Sequence, residues 1–193
     1  MVSAVSINLI VVPAATRDEK EALANVAKSW IVIARCKARE VDPLEADIFK
    51  DCKGSLKSLL PGICGRGRAA YPLVCLDEKN KVQAIAIYAE EMNYLHYIVT
   101  HPNNIRHRIN DGIKDRVSGA GTEIIRYLAK KTIYSGLPLR LISHLGAIEF
   151  YKKLFFVLDD PESDNLDMRI TAEMIRGFAF SGIKPYAGLL GDA

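Results

Sequence analysis

The chain has 193 residues, 26 basic and 23 acidic side chains, and a net charge of +3. Its length predicts one domain with a real core, and so even a charge balance excludes a broad nucleic-acid or membrane-surface footprint. Four cysteines, Cys36, Cys52, Cys64 and Cys75, lie more than ten residues apart with no C-x-x-C pair and no adjacent histidine, which argues against zinc and for reduced, buried thiols.

The apolar start from Val2 to Val12 lacks a basic leader region and is broken by Ser3, Ser6 and Asn8, so it reads as a first strand. No apolar run approaches the ~20 residues of a membrane helix, which predicts a soluble, cytoplasmic protein. Val5 to Val12 is rich in β-branched residues and stops at Pro13. Thr16-Arg17-Asp18-Glu19 has capping-box form and opens a helix whose inner face is Leu23, Val26, Ala27, Trp30, Ile31 and Ala34. Asp42-Pro43 starts a second helical stretch with Leu44, Ile48 and Phe49 inward. Gly54 is expected to interrupt it, leaving Ser55 to Leu60 as a short helix before Pro61-Gly62. Gly62, Gly65 and Gly67 then make a flexible connection carrying Arg66 and Arg68.

Tyr71 to Leu76 and Lys81 to Tyr88 read as strands joined by the hairpin Asp77-Glu78-Lys79-Asn80. Tyr94 to Thr100, closed by His101-Pro102, makes a third antiparallel neighbour. The polar segment Asn103 to Asp115, with Arg106, His107, Arg108 and Lys114, reads as an exposed loop. A helix follows from Thr122, with Ile124, Ile125 and Leu128 inward and Arg126, Lys130 and Lys131 outward, and Ser135-Gly136 stops it. Further on, Leu139 to Ser143 is a strand, Ala147 to Leu154 a short helix and Phe155 to Leu158 a strand. Asp159 to Asn165 is a loop, Leu166 to Thr171 a strand and Ala172 to Phe180 a helix.

Between the polar segment and the amphipathic helix stands Arg116-Val117-Ser118-Gly119-Ala120-Gly121. Glycines reach positive φ and let backbone N–H groups converge, and the helix behind them aims its positive dipole end at the same place. The pattern suits an anion, although a plain glycine turn before a helix would look the same. A P-loop needs a lysine after Gly121, and Thr122 stands there; a dinucleotide fingerprint needs a third small residue, and Ile124 stands there.

Arg116-x-x-Gly119-x-Gly121, the strand from Leu139, and Ala147-x-x-Phe150-Tyr151-Lys152-Lys153-Leu154-Phe155-Phe156 together resemble the GNAT superfamily of N-acetyltransferases, over roughly Ala84 to Thr171. The resemblance implies an α/β (α+β) fold, a mixed, mainly antiparallel twisted sheet flanked by helices, in a single domain over residues 1–193. It implies an acetyl-CoA-dependent N-acetyltransferase passing acetyl directly to a primary amine on a small molecule, protein or peptide. Acetyl-CoA is then the co-substrate and no metal is called for. A noncatalytic CoA-binding or regulatory module is the alternative.

By the same resemblance, Arg116, Val117, Ser118, Gly119, Ala120, Gly121 and Thr122 bind the CoA pyrophosphate, and Ile98, Val99 and Thr100 border the pantetheine arm. Tyr151 matches the position whose hydroxyl protonates the departing thiolate. For the base, His96 comes first because imidazole titrates near neutrality. Glu91 is the runner-up, and a water relay is also consistent. Asn93, Ser143 and His144 are candidates to line the acceptor or thioester region. Two departures stand out. Phe155 occupies a position where glycine is usual, which would be strained at positive φ. Thirteen residues, Asn103 to Asp115, separate Pro102 from Arg116 where the family commonly has only a few; their basic side chains are candidates for the 3′-phosphate of CoA or an acidic acceptor, against a solvated loop.

Overall fold

The computed structural model describes residues 8–43, 45–65, 70–105, 108–110, 117–161 and 166–180. Its backbone contacts group into two units, residues 1–124 and 125–193, with the division falling inside a helix.

The first unit is an antiparallel meander carrying two long helices. Its elements are β1 (Ile10–Pro13), α1 (Arg17–Glu40), α2 (Asp47–Ile63), β2 (Ala70–Leu76), β3 (Val82–Ala89) and β4 (Tyr94–Thr100). Each strand pairs with the next, β1 with β2, β2 with β3 and β3 with β4. Helix α1 starts as its sequence predicts. Thr16 Oγ1 accepts from Glu19 N (3.2 Å), and the Glu19 carboxylate accepts from Thr16 N (2.8 Å) and Ala15 N (2.9 Å). Its buried face is Leu23, Ala24, Ala27, Trp30 and Ala34, with Val26 and Ile31 half-buried beside it.

Helix α2 corrects three expectations. It starts at Asp47 rather than Asp42, runs through Gly54, and includes Pro61. Phe49, Cys52, Leu56, Leu59 and Ile63 recur at helical spacing and are all buried, and that continuous stripe outweighs the roughly 1 kcal/mol that an exposed glycine costs a helix. Ile48 falls outside the stripe and is exposed, contrary to its predicted inward place. Lys57 and Pro61 both lie on the solvent side, so the carbonyl that lacks a proline N–H to receive can turn to water. Gly62 has a packing reason of its own: a Cβ there would meet Ile87 Cγ1 at 3.0 Å, so a larger residue would require the Ile87 side chain to shift. Arg66, Gly67, Arg68 and Leu44 lie outside the described residues.

Together α1 and α2 close over the sheet, where Leu23, Trp30, Leu56 and Ile63 share a core with Val74, Ile85, Ile87 and Val99. The hairpin between β2 and β3 is fixed by Asp77, whose Oδ1 accepts from Lys79 N and Lys81 N at 2.9 Å each, while Asn80 takes the left-handed conformation at φ +57°. Desolvation pushes the Asp77 carboxyl up, but bonds from Lys81, Gln83 and Lys79 outweigh it and hold the group below its ordinary value. Two register shifts interrupt the meander. Cys75 faces Ala84 while Leu76 faces Val82, leaving Gln83 as an extra residue in β3; Ile87 faces Tyr97 while Tyr88 faces Leu95, leaving His96 extra in β4.

The second unit contains most of α3 (Ala120–Thr132), then β5 (Leu139–Ile142), α4 (Ile148–Lys152), β6 (Val157–Leu158), β7 (Asp167–Ile170) and α5 (Ala172–Phe180). Strand β7 pairs antiparallel with both β5 and β6. Arg140 and Arg169 stand directly opposite one another, a like-charge pair that Asp159 resolves by lying 3.0 Å from the first and 3.1 Å from the second. Gly136, at φ +68°, follows α3 as expected, and Ile124, Ile125 and Leu128 are fully buried.

All four cysteines are free. Cys52 and Cys75 are buried, and desolvation pushes both thiols up to about 12; Cys36 and Cys64 are exposed, which corrects the expectation for those two. Among the described residues no helix is long and apolar enough to cross a membrane.

Candidate functional site

Strand β4 carries Ile98, Val99 and Thr100, paired with Ala86, Ile85 and Ala84 of β3. Val99 is 5% exposed and its side chain belongs to the core, so the strand has backbone rather than a Val99 side chain to offer a ligand. His96, the extra residue, is exposed, with its ring 4.8 Å from Tyr94 in an edge-on arrangement. Partial desolvation lowers its pKa from the ordinary value, so the imidazole is neutral at neutral pH and able to accept a proton. The bulge was not legible in the sequence, and it is what sets His96 apart from the regular ladder.

Glu91 and Asn93 sit in the turn before β4. That strand spans roughly 20 Å at ~3.3 Å per residue, so they lie at its opposite end from Thr100. Glu91 is exposed. Asn93 is 3% exposed, takes φ +51°, and accepts from the Tyr88 hydroxyl through Oδ1 (2.5 Å). It is a buried turn residue.

Of the segment read as an exposed loop, residues 103–105 and 108–110 are described, and these do not form an open loop. Residues Pro102–Asn104 and Arg108–Asn110 form two short 3-10 turns; the first packs on α1, and the second is tied to that helix through Asn110 and Lys37. The His101 ring packs edge-on against Trp30 at 4.9 Å, and its Nδ1 accepts from Asn103 N (3.0 Å). Burial, then the Lys37 charge, lowers the His101 pKa and keeps that nitrogen unprotonated. Asn110 is fully buried: it donates to the carbonyls of Pro102 (3.0 Å) and Ile105 (2.7 Å), and accepts from Lys37 Nζ (2.5 Å). Sequence reading missed these asparagines because nothing local distinguishes a buried Asn from a solvated one. Arg106, His107, Lys114 and Arg116 lie outside the described residues, and nothing is described of the Arg108 side chain.

The glycine-rich turn begins at Val117, 3% exposed, whose N–H donates to Asn104 Oδ1 (2.9 Å). That amide is therefore engaged and is not among the donors open to a guest. Ser118 is exposed, and Gly119 has φ +86°, a conformation that favours glycine. Helix α3 opens at Ala120, one residue earlier than Gly121 and two earlier than Thr122, and these three residues are buried. Glu123 N bonds back to Gly119 O (2.9 Å), so the amides of Ala120, Gly121 and Thr122 precede the first bond of the helix and carry its positive dipole end. Among the described residues these amides meet no acceptor, and a helix start of that kind, entered through a left-handed glycine, suits a diphosphate.

In the second unit Tyr151 lies in α4, 6% exposed, its ring between those of Phe150 (5.0 Å) and Phe156 (5.6 Å). Desolvation raises the phenol pKa and keeps the hydroxyl protonated. No hydrogen-bond partner is present for it among the described residues. Helix α4 is shorter than the predicted span from Ala147 to Leu154, and a tight turn completes it. Phe155 N donates to Lys152 O (3.0 Å) and Phe156 N to Tyr151 O (3.1 Å), with Phe155 at φ +67°. The residue in place of glycine thus keeps glycine's conformation. Ser143 is buried, its N–H bonded to Leu166 O (2.8 Å), and His144 is exposed.

No protein-family model matches the sequence, and no curated protein sequence matches it. Solved structures do. A presumptive acetyltransferase from Exiguobacterium sp. 255-15 is 14% identical, the likeness covering 88% of this chain and 97% of that one at a TM-score of 0.52. Tetrahymena GCN5 is 11% identical, with 87% and 96% covered and a TM-score of 0.50. A spermidine N-acetyltransferase from Vibrio cholerae, solved with CoA and spermine, is 14% identical over 87% and 98% at a TM-score of 0.48. The fold is α/β, a mixed, mainly antiparallel sheet flanked by helices, and it is shared with the Exiguobacterium and Tetrahymena structures.

Proposed function

We propose that this protein is an acetyl-CoA-dependent N-acetyltransferase, one domain over residues 1–193, that passes acetyl directly to a primary amine of a small molecule, protein or peptide. The observation that carries this reading is the turn from Val117 to Thr122, with Gly119 at φ +86° leading into the unspent amides of α3, on a fold shared with acetyltransferases. Likeness over 88% of the chain supports a single domain. Four free thiols, two buried and two exposed, support a reducing, cytoplasmic setting.

In this mechanism the amides from Ser118 to Thr122 hold the diphosphate of the substrate, and the backbone of Ile98 to Thr100 borders its pantetheine arm. The amine nitrogen attacks the thioester carbonyl carbon. As the C–N bond forms and the C–S bond breaks, His96 takes a proton from the amine and Tyr151 gives its hydroxyl proton to the leaving sulfur. The products are an acetamide and free CoA. The lowered pKa of His96 suits it to this task and favours it over Glu91. The raised pKa of Tyr151 keeps its proton in place until a thiolate develops beside it.

The test is thermal stabilisation by acetyl-CoA, followed by thiol release with a panel of amines and peptides. Tyr151→Phe is expected to lower turnover by about 10²-fold, the lower range of general acid catalysis, with cofactor affinity nearly unchanged. Unchanged turnover removes the acid role; absence of stabilisation by acetyl-CoA removes the cofactor. Because a protonated His96 cannot accept, kcat/KM is expected to fall as pH drops through a value below the ordinary histidine range. That limb should vanish in His96→Gln, and its persistence there would assign the base elsewhere.

A further inference from the structure

Three side chains form one line of hydrogen bonds across the first unit, and the line ends on the glycine-rich turn. Asp77 Oδ2 accepts from Gln83 Nε2 (2.7 Å), Gln83 Oε1 accepts from Asn104 Nδ2 (2.8 Å), and Asn104 Oδ1 accepts from the backbone N–H of Val117 (2.9 Å). Its polarity is fixed at both ends. An ionised carboxylate only accepts and a backbone N–H only donates, so each amide between them has one orientation that satisfies both neighbours. Asp77 cannot swing away, because its other oxygen holds the amides of Lys79 and Lys81. Gln83 is inserted by the bulge in β3 and is 6% exposed, so its bonds are made away from competing water.

The backbone around Asn104 is held just as firmly. Gln83 O accepts from His101 N (2.9 Å), the His101 ring rests on Trp30, and Asn110 ties Pro102 and Ile105 to Lys37 of α1. The polar stretch that the sequence presents as an unexplained insertion therefore contains a bracket, with Asn104 as the arm that reaches the turn. A turn fixed at its entrance presents the following amides in one arrangement, and a ligand that meets preset donors loses less affinity to ordering them.

We propose that Asn104, oriented by Gln83 and Asp77, is a positioning residue for the Val117 to Thr122 turn and sets affinity for the diphosphate of CoA without touching it. This rests on the cofactor reading of the turn given above. The relay also accounts for the engagement of the Val117 amide.

The experiment uses the full chain and two readouts: amide hydrogen exchange from Val117 to Glu123 without ligand, and affinities for CoA and for pantetheine, which lacks the diphosphate. Asn104→Ala is expected to speed exchange at these amides and to weaken CoA by about tenfold, the scale of one lost hydrogen bond, with pantetheine unchanged. A second arm reverses the relay. Asp77→Asn alone leaves an amide facing an amide donor and should speed exchange. Combining it with Asn104→Asp lets Asn donate to Gln83 and Gln83 donate to Asp, and should restore slow exchange. Wild-type protein that binds CoA beside an Asn104→Ala variant of equal affinity overturns the positioning role and leaves the cofactor reading standing. Wild-type protein that does not bind CoA overturns both. Failure of the reversed pair to recover, with each variant folded by circular dichroism, overturns the relay.

Discussion

Gly119 and Phe155 both hold the left-handed region at a helix end, and they do so for different reasons. Gly119, at φ +86°, leads into α3; Phe155, at φ +67°, follows α4. At the second, the backbone bonds close on the chain itself, from Phe155 to Lys152 and from Phe156 to Tyr151, and the side chain is free to point outward. There it meets the ring of Phe178 at 6.4 Å. At the first, the amides that follow meet no acceptor among the described residues, and in the proposed function they receive the diphosphate. If the proposed function holds, the comparison teaches that glycine is needed where the backbone serves a ligand. Where the turn serves only the fold, a packed aromatic ring can offset most of the conformational cost.

Breaking the first turn should have the larger effect. Gly119→Val places a β-branched residue at positive φ, which costs about 2 kcal/mol in this region of backbone space, and it crowds the phosphate cradle as well. Urea melts should show that loss, and calorimetry should show CoA affinity falling by more than tenfold. If stability drops and CoA binding does not, the phosphates sit elsewhere and the contrast between the two turns loses its functional half.

The same contrast separates what the sequence discloses from what it hides. The capping box at Thr16, the strand Tyr94 to Thr100 and the inward face of α3 are local patterns, and each is found where its residues predict. Gly54 and Pro61 read as breakers because local propensity is all a short window contains; burial of Phe49, Leu56 and Ile63 is a tertiary effect that overrides it. Asn104 is hidden for a related reason. Its partners are 21 residues behind it and 13 ahead, and no spacing rule links an asparagine after a strand to a glutamine in a bulge. The glycine turn itself was legible because it is contiguous, whereas the bracket that holds it is assembled from four separate segments.

Sharpening the second turn needs a pair of variants rather than one. Phe155→Ala removes the ring and its contact with Phe178 but keeps a Cβ at φ +67°. Phe155→Gly removes the same ring and the same contact, and also relieves the backbone. Loss of packing is therefore common to both, and their difference isolates the left-handed conformation. Glycine is expected to be the more stable of the two by about 1 kcal/mol, even though it is the residue with more freedom to lose on folding. In an ordinary helical or extended position the order would be reversed, with alanine ahead. Equal melts for the two variants would mean that the backbone relaxes out of the left-handed region once the ring is gone. In that case Phe155 would be holding the turn open by its contact with Phe178, and the conformation would belong to the side chain rather than to the chain reversal.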